Sequence, residues 1–127
     1  MLKEKFIGSW GIKLFQMKDE KGNITYPYGE NPIGFLHYHN NNYMSVILSA
    51  NRPNYKNSDF NGTDQEIIHN ASYFLAYTGQ YKIKEGYIIH KIKQAFIPNW
   101  IGQNQKRFFQ FSENNNIPKL STPLINY

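Results

Sequence analysis

Two residues in the segment IIHKIKQAFIPNWIGQNQKRFFQF, from Ile88 to Phe111, are of types that do chemistry and stand where apolar residues belong. Polar and apolar residues alternate on both sides of a connector holding Pro98, Asn99, Trp100 and Gly102, and alternation marks a strand with one face in a core. On the first run Ile88, His90, Ile92, Gln94 and Phe96 share one face, while Tyr87, Ile89, Lys91 and Lys93 share the other. Lysines belong in water, so His90 points inward. On the second run Arg107, Phe109 and Phe111 stand together opposite Lys106 and Gln110, which turns Arg107 inward despite Phe108 on the outer face.

An imidazole, whose ordinary pKa is about 6.5, has two uses in such a place. It sits neutral in the core, bonded to a tyrosine hydroxyl, or it meets a ligand as hydrogen-bond partner or general acid–base catalyst. An interior guanidinium needs an acceptor, because an isolated charge in low dielectric is very unfavourable. That acceptor belongs either to the protein or to a ligand carrying a carboxylate, phenolate or enolate oxygen. His90 and Arg107 are thus the candidate catalytic residues if the protein is an enzyme.

The elements that position this pair are short strands. GSWGIKLFQ (Gly8–Gln16) alternates, with Trp10, Ile12 and Leu14 on one face. Asp19–Pro32 is rich in turn residues and reads as a long loop with room for one short extended piece. Ile33–His39 and Tyr43–Leu48 flank HNNN, a hairpin connection whose asparagines tolerate positive φ. Within the first of these, His37 and His39 alternate with Leu36 and Tyr38 and face outward.

After the polar loop NRPNYKNSDFNG, Thr63-Asp64-Gln65-Glu66 has the spacing of a capping box. Ile67, Ile68, Ala71 and Phe74 or Leu75 follow at helical spacing, predicting about three turns lying on something apolar. Ala76–Lys84, Tyr87–Phe96, Lys106–Phe111 and Ile117–Ser121 are the remaining strands, the last reached through the SENNN turn. Seven strands in series with one short helix predict a mostly β protein, an antiparallel up-and-down barrel or rolled sheet.

Composition narrows the function. The 127 residues predict one domain, 1–127. Zero cysteines exclude disulfides, thiolate catalysis and cysteine zinc sites. The scattered histidines do not assemble the three ligands a zinc ion needs, so no metal is expected. No phosphate-binding glycine loop, dinucleotide fingerprint or nucleophile–base–orienter set is present, so no cofactor is expected. The net charge of +5 invites nucleic acid, but the basic residues are dispersed and 12 of the 14 are lysine, which argues against it. No apolar run is long enough for a bilayer, and the start MLKEKFIGSW has no apolar stretch of a secretory signal, so no membrane partner and a cytoplasmic location are expected.

In order along the chain, Gly8-Ser9-Trp10, TYPYGENPIGFLHYH, NYMSVIL, NRP, YFLAYTGQY, HKIKQAFIPNWIG, QKRFFQF and LSTP resemble the bacterial and fungal lipocalin-like domain family of small single-domain proteins, over roughly residues 6–123. The resemblance implies an antiparallel β-barrel with a central cavity for a small apolar or amphipathic molecule. It also implies a second use for Arg107, packing against Trp10 by a cation–π contact and bonding backbone carbonyls at the closed end. One departure stands out: the family pattern continues to a further strand ending in a Trp-x-Arg-like motif, whereas this chain ends Pro123-Leu124-Ile125-Asn126-Tyr127. With an eighth strand missing, open edges invite association, so a homodimer is expected slightly ahead of a monomer.

The resulting reading is a barrel that binds a small hydrophobic or aromatic molecule among Trp10, Tyr38, Met44, Val46, Tyr77, Tyr81, His90, Arg107 and Phe109, with Trp100 over one end, as lid or as plug. Arg52 and Tyr55 of the NRPNY loop form a second candidate rim. The alternative is an isomerase or cyclase acting on a polyene or polyketide-like substrate in the same cavity, with His90 or a tyrosine moving a proton and Arg107 holding an enolate. A third possibility is a barrel too full of aromatic side chains for any ligand; a cavity above about 300 Å³ separates it from the other two.

Overall fold

The computed structural model describes residues 2–111 and 118–121. Seven strands form one antiparallel meander: β1 (Gly8–Gly11), β4 (Ile33–Tyr38), β5 (Tyr43–Ser49), β6 (Phe74–Ile83), β7 (Tyr87–Ala95), β8 (Asn104–Phe111) and β9 (Pro118–Ser121), each hydrogen-bonded to the next in that order. Two short strands, β2 (Met17–Lys18) and β3 (Ile24–Thr25), make a separate ribbon between β1 and β4. The sheet curls on itself. Phe6, fully buried, stacks edge-on against Tyr38 of β4 at 5.8 Å and Phe109 of β8 at 4.9 Å, so it bridges strands four places apart. Among the described residues no ladder joins β1 to β9; the tail 122–127 and the SENNN turn with Ile117 lie outside the description.

All seven strands of the meander match the sequence reading, with shifted ends. β1 stops at Gly11 rather than Gln16, because its partner β4 begins after Pro32, which has no N–H to extend the ladder. The Ile12 amide makes the last bond, to Gly34 O at 2.8 Å, and Leu14 is exposed. Chain freed from the main sheet pairs locally instead: the Asp19 carboxylate accepts the amides of Lys21 and Asn23 at 2.9 and 2.8 Å and closes the β2–β3 turn. Ile24–Thr25 is the expected extended piece, whereas β2 lies just past the predicted first strand, in two residues assigned to no element.

The helix α1 (Asp64–Ser72) begins with the predicted capping box: Glu66 N donates to Thr63 Oγ1 at 3.2 Å, and Thr63 N donates to Glu66 Oε1 at 2.8 Å. Its apolar stripe is a correction to the sequence reading. Helix α1 ends at Ser72, Phe74 and Leu75 belong to β6, Ile67 and Ile68 are exposed, and none of its residues is buried. Residues 74 and 75 pair in register with Ser49 and Leu48, and ladder bonds to β5 outweigh one more helical turn.

One irregularity sets which side chains face inward. Tyr77 pairs with Ala95, Thr78 with Gln94 and Gly79 with Ile92, so Lys93 is an extra residue on β7. Past the bulge the alternation of β7 reverses: Ala95 is half-buried, while Gln94 and Phe96, expected inside, are exposed. Gly79 is required there, since a Cβ at that position would lie 1.9 Å from the Lys91 carbonyl oxygen.

Candidate functional site

The inner face of the sheet assembles from register. Tyr38 pairs with Met44, Met44 with Gly79, Tyr81 with His90 and Ile88 with Arg107, and directly opposed residues share a face. The result is a core in which Phe6, Tyr38, Met44, Ile88, Ile92 and His90 are each at most 1% exposed. Around it Trp10, Ile12, Trp100, Phe109 and Leu120 are only partly buried, and Gln105 and Arg107 are half-buried beside them. The inner face is thus filled at its centre and only partly covered at its margin.

Its two ends differ. The turns β4–β5 and β6–β7 lie at the end that Phe6 and the short 3-10 turn Lys3–Lys5 close. The β5–β6 connection with α1 and the β7–β8 connection lie at the other end, the mouth. Trp100, held in a 3-10 turn after Pro98, stands at the mouth with its ring edge-on to Tyr77 at 5.7 Å. Two surface clefts lie elsewhere: one of about 460 Å³ near Lys3, Asn42, Tyr81 and Lys91, and one of about 590 Å³ near Arg52, Tyr55 and Asn70. Neither is lined by His90 or Arg107.

A polar line runs through the core. The Tyr38 hydroxyl lies 2.5 Å from His90 Nε2, and His90 Nδ1 lies 2.8 Å from the Tyr77 hydroxyl. Arg107 reaches the Tyr77 oxygen from Nη2 at a long 3.5 Å and donates more closely to Gln105 Oε1 at 2.5 Å and to the Lys106 carbonyl at 3.1 Å. Burial pushes the His90 pKa down to about 3, with the Arg107 charge acting in the same direction. Burial also raises both phenols, Tyr38 well above its ordinary value, with Tyr77 adding to the rise; at Tyr77 the guanidinium partly offsets it. His90 is therefore neutral near pH 7, and both tyrosines keep their protons.

All ten sequence-selected residues, Val46 included, fall in this one assembly. Two expectations need correction, and a third falls outside the described side chains. Trp10 donates Nε1–H to the Phe6 carbonyl at 2.8 Å and, among the described residues, shows no cation–π contact with Arg107, whose donors go to β6 and β8. Tyr81 turns its hydroxyl away from His90, donating to the His39 carbonyl at 2.7 Å. The side chain of Phe111 lies outside the description. At the second rim, Arg52 donates to Asn70 Oδ1 at 2.5 Å, stacks over Phe74 at 4.8 Å, and Asn70 donates to the Tyr55 hydroxyl at 3.0 Å. His37 and His39 lie on the outer face, His37 within 2.8 Å of the Ser9 hydroxyl. Two residues were missed. Gln105, opposite His90, was recoverable by extending the β8 alternation one step upstream; Phe6, before the first strand, had no periodic signal.

A curled antiparallel meander with a buried aromatic interior, closed at one end by a 3-10 turn ahead of Gly8-Ser9-Trp10, defines a lipocalin-like architecture. The chain belongs to the lipocalin-like domain family, whose pattern it matches over residues 7–125. It is also similar to the 4'-hydroxy-3'-methoxypropiophenone carrier protein ppsC of Aspergillus oryzae, with 28% identity over 90 residues, covering 62% of this chain and 79% of that protein. No solved structure matches. Among the described residues no helix is long and apolar enough to cross a membrane.

Proposed function

We propose that this protein binds a small aromatic or otherwise hydrophobic molecule against the partly covered margin of its inner face, as a carrier. The observation that carries the reading is that Trp10, Trp100 and Phe109 and the cationic Arg107 are each only partly buried around a fully buried aromatic floor. Flat rings bury large area at low entropic cost against such side chains, and one charged donor orients them. Membership of the lipocalin-like family supports a ligand-binding barrel, and the carrier relative supports an aryl ketone as the kind of molecule to try first.

The isomerase or cyclase alternative fares worse. Both ring nitrogens of His90 are occupied by tyrosines, and the side chain is 1% exposed, so it has no face to offer a substrate. Titrating the protein with 4'-hydroxy-3'-methoxypropiophenone while following Trp10 and Trp100 fluorescence tests the carrier reading. Saturable quenching at micromolar ligand, lost in Trp100→Ala, is expected; the absence of any saturable signal overturns it. A homodimer is a separate proposal, supported by the unpaired outer sides of β1 and β9 among the described residues. Sedimentation showing a monomer at all concentrations would remove it.

A further inference from the structure

The two His90 contacts use fewer hydrogens than the groups that make them carry. A neutral imidazole carries one N–H, and Tyr38 and Tyr77 carry one O–H each. These three protons serve two contacts, Tyr38 to Nε2 and Tyr77 to Nδ1. Whichever ring nitrogen holds the proton, one contact uses the N–H and the other uses one phenolic O–H. One tyrosine therefore keeps a hydroxyl hydrogen that the histidine does not take. Arg107 cannot accept it, because a guanidinium has no acceptor, and it brings further donors of its own.

Among the described residues, nothing nearby neutralises that guanidinium. Its partners, Gln105 Oε1, the Lys106 carbonyl and the Tyr77 oxygen, are all uncharged. None of the nine strands contains an aspartate or glutamate; the described carboxylates lie in the 3-10 turn at Lys3–Lys5, in loops and turns, and in α1. The titratable and charged groups facing the site are Tyr38 from β4, Tyr77 and Tyr81 from β6, His90 from β7 and Arg107 from β8. Tyr81 is already committed to the His39 carbonyl. Strands β1, β5 and β9 add Trp10, Met44, Val46 and Leu120.

We propose that the inner face takes its ligand as an oxyanion, a phenolate or enolate whose charged oxygen lies against the half-buried guanidinium of Arg107. This rests on the carrier reading and adds to it the ionisation state of the cargo. A positive charge with only neutral partners, half-buried beside aromatic side chains, favours the charged form of an acidic phenol over its protonated form and over its methyl ether.

The probes are 4-nitrophenol, whose anion is yellow and whose acid form is colourless, and 4-nitroanisole, which cannot ionise. With 4-nitrophenol held about one pH unit below its solution pKa, added protein should turn the bound fraction yellow, and 4-nitrophenol should bind about tenfold or more tightly than 4-nitroanisole. Arg107→Gln should abolish the yellow shift and weaken 4-nitrophenol by about tenfold, while Arg107→Lys restores part of both. Equal binding of the two probes, with 4-nitrophenol in its colourless form, overturns the oxyanion inference and leaves the carrier reading standing. Failure of both probes to bind overturns the two together. The unmodified protein alone decides the ionisation state, whatever the variants do.

Discussion

Acidification from pH 7 to pH 5 should destabilise the fold by about 2 kcal/mol, almost entirely through His90. Its pKa falls from an ordinary 6.5 to about 3 in the folded protein, where burial and the Arg107 charge both oppose the imidazolium. Between those two values the unfolded chain binds a proton that the folded one does not, so stability is full above 6.5 and is lost as pH falls towards 3. Each pKa unit is worth about 1.4 kcal/mol, which gives the figure above at pH 5 and about 3 kcal/mol by pH 4. Asp19 and Glu66 also have lowered values, held down by amide donors, but their ordinary values are 3.8 and 4.5 and their effect belongs below pH 5. Urea unfolding at pH 7 and 5, on the wild type and on His90→Gln, measures the difference. Glutamine can donate and accept between the two tyrosines without titrating, so its stability should be lower at pH 7 by roughly 1–3 kcal/mol but flat from 7 to 5. Equal pH slopes in the two proteins would refute the assignment to His90.

Tyr38→Phe and Tyr77→Phe each leave one buried ring nitrogen without a partner and should destabilise by roughly 1–3 kcal/mol in chemical denaturation. Because both act on one ring, their effects should not add in the double variant. Gly79→Ala drives a Cβ onto the Lys91 carbonyl, backbone that the bulge holds in place, and should destabilise by at least the roughly 1–3 kcal/mol of ordinary overpacking, read in the same urea experiment.

Strands were legible because period-two alternation survives in a chain whose inner face is aromatic and aliphatic and whose outer face carries lysines. His90 could be placed from Lys91 and Lys93 alone. What alternation cannot carry is a change of phase. Gln94 and Phe96 were placed inside because a regular β7 would put them there, and one extra residue at Lys93 turned both out. Helix α1 shows the complementary limit: its capping box is a local signal and was read correctly, whereas its apolar stripe says nothing about whether an element packs beneath it. The partners of Arg107 were misjudged for a related reason. Both a ring on β1 and hydroxyls on β6 were reachable in principle, and only the curl of the sheet decides between them.

The bulge also decides which side chains line the mouth. Without the extra residue, Tyr77 would face Gln94, and Phe96 would follow it inward at the mouth. With it, Tyr77 faces Ala95, a methyl group, and the volume so vacated is where the ring of Trp100 meets the edge of Tyr77. Phe96 is sent instead to the outer face, against Phe74 at 5.5 Å. From that register the Tyr77 hydroxyl meets His90 Nδ1 at 2.8 Å and lies within reach of Arg107 on β8. The shape of the mouth is thus tied to backbone register, and exchange of the polar residues alone should leave it unchanged.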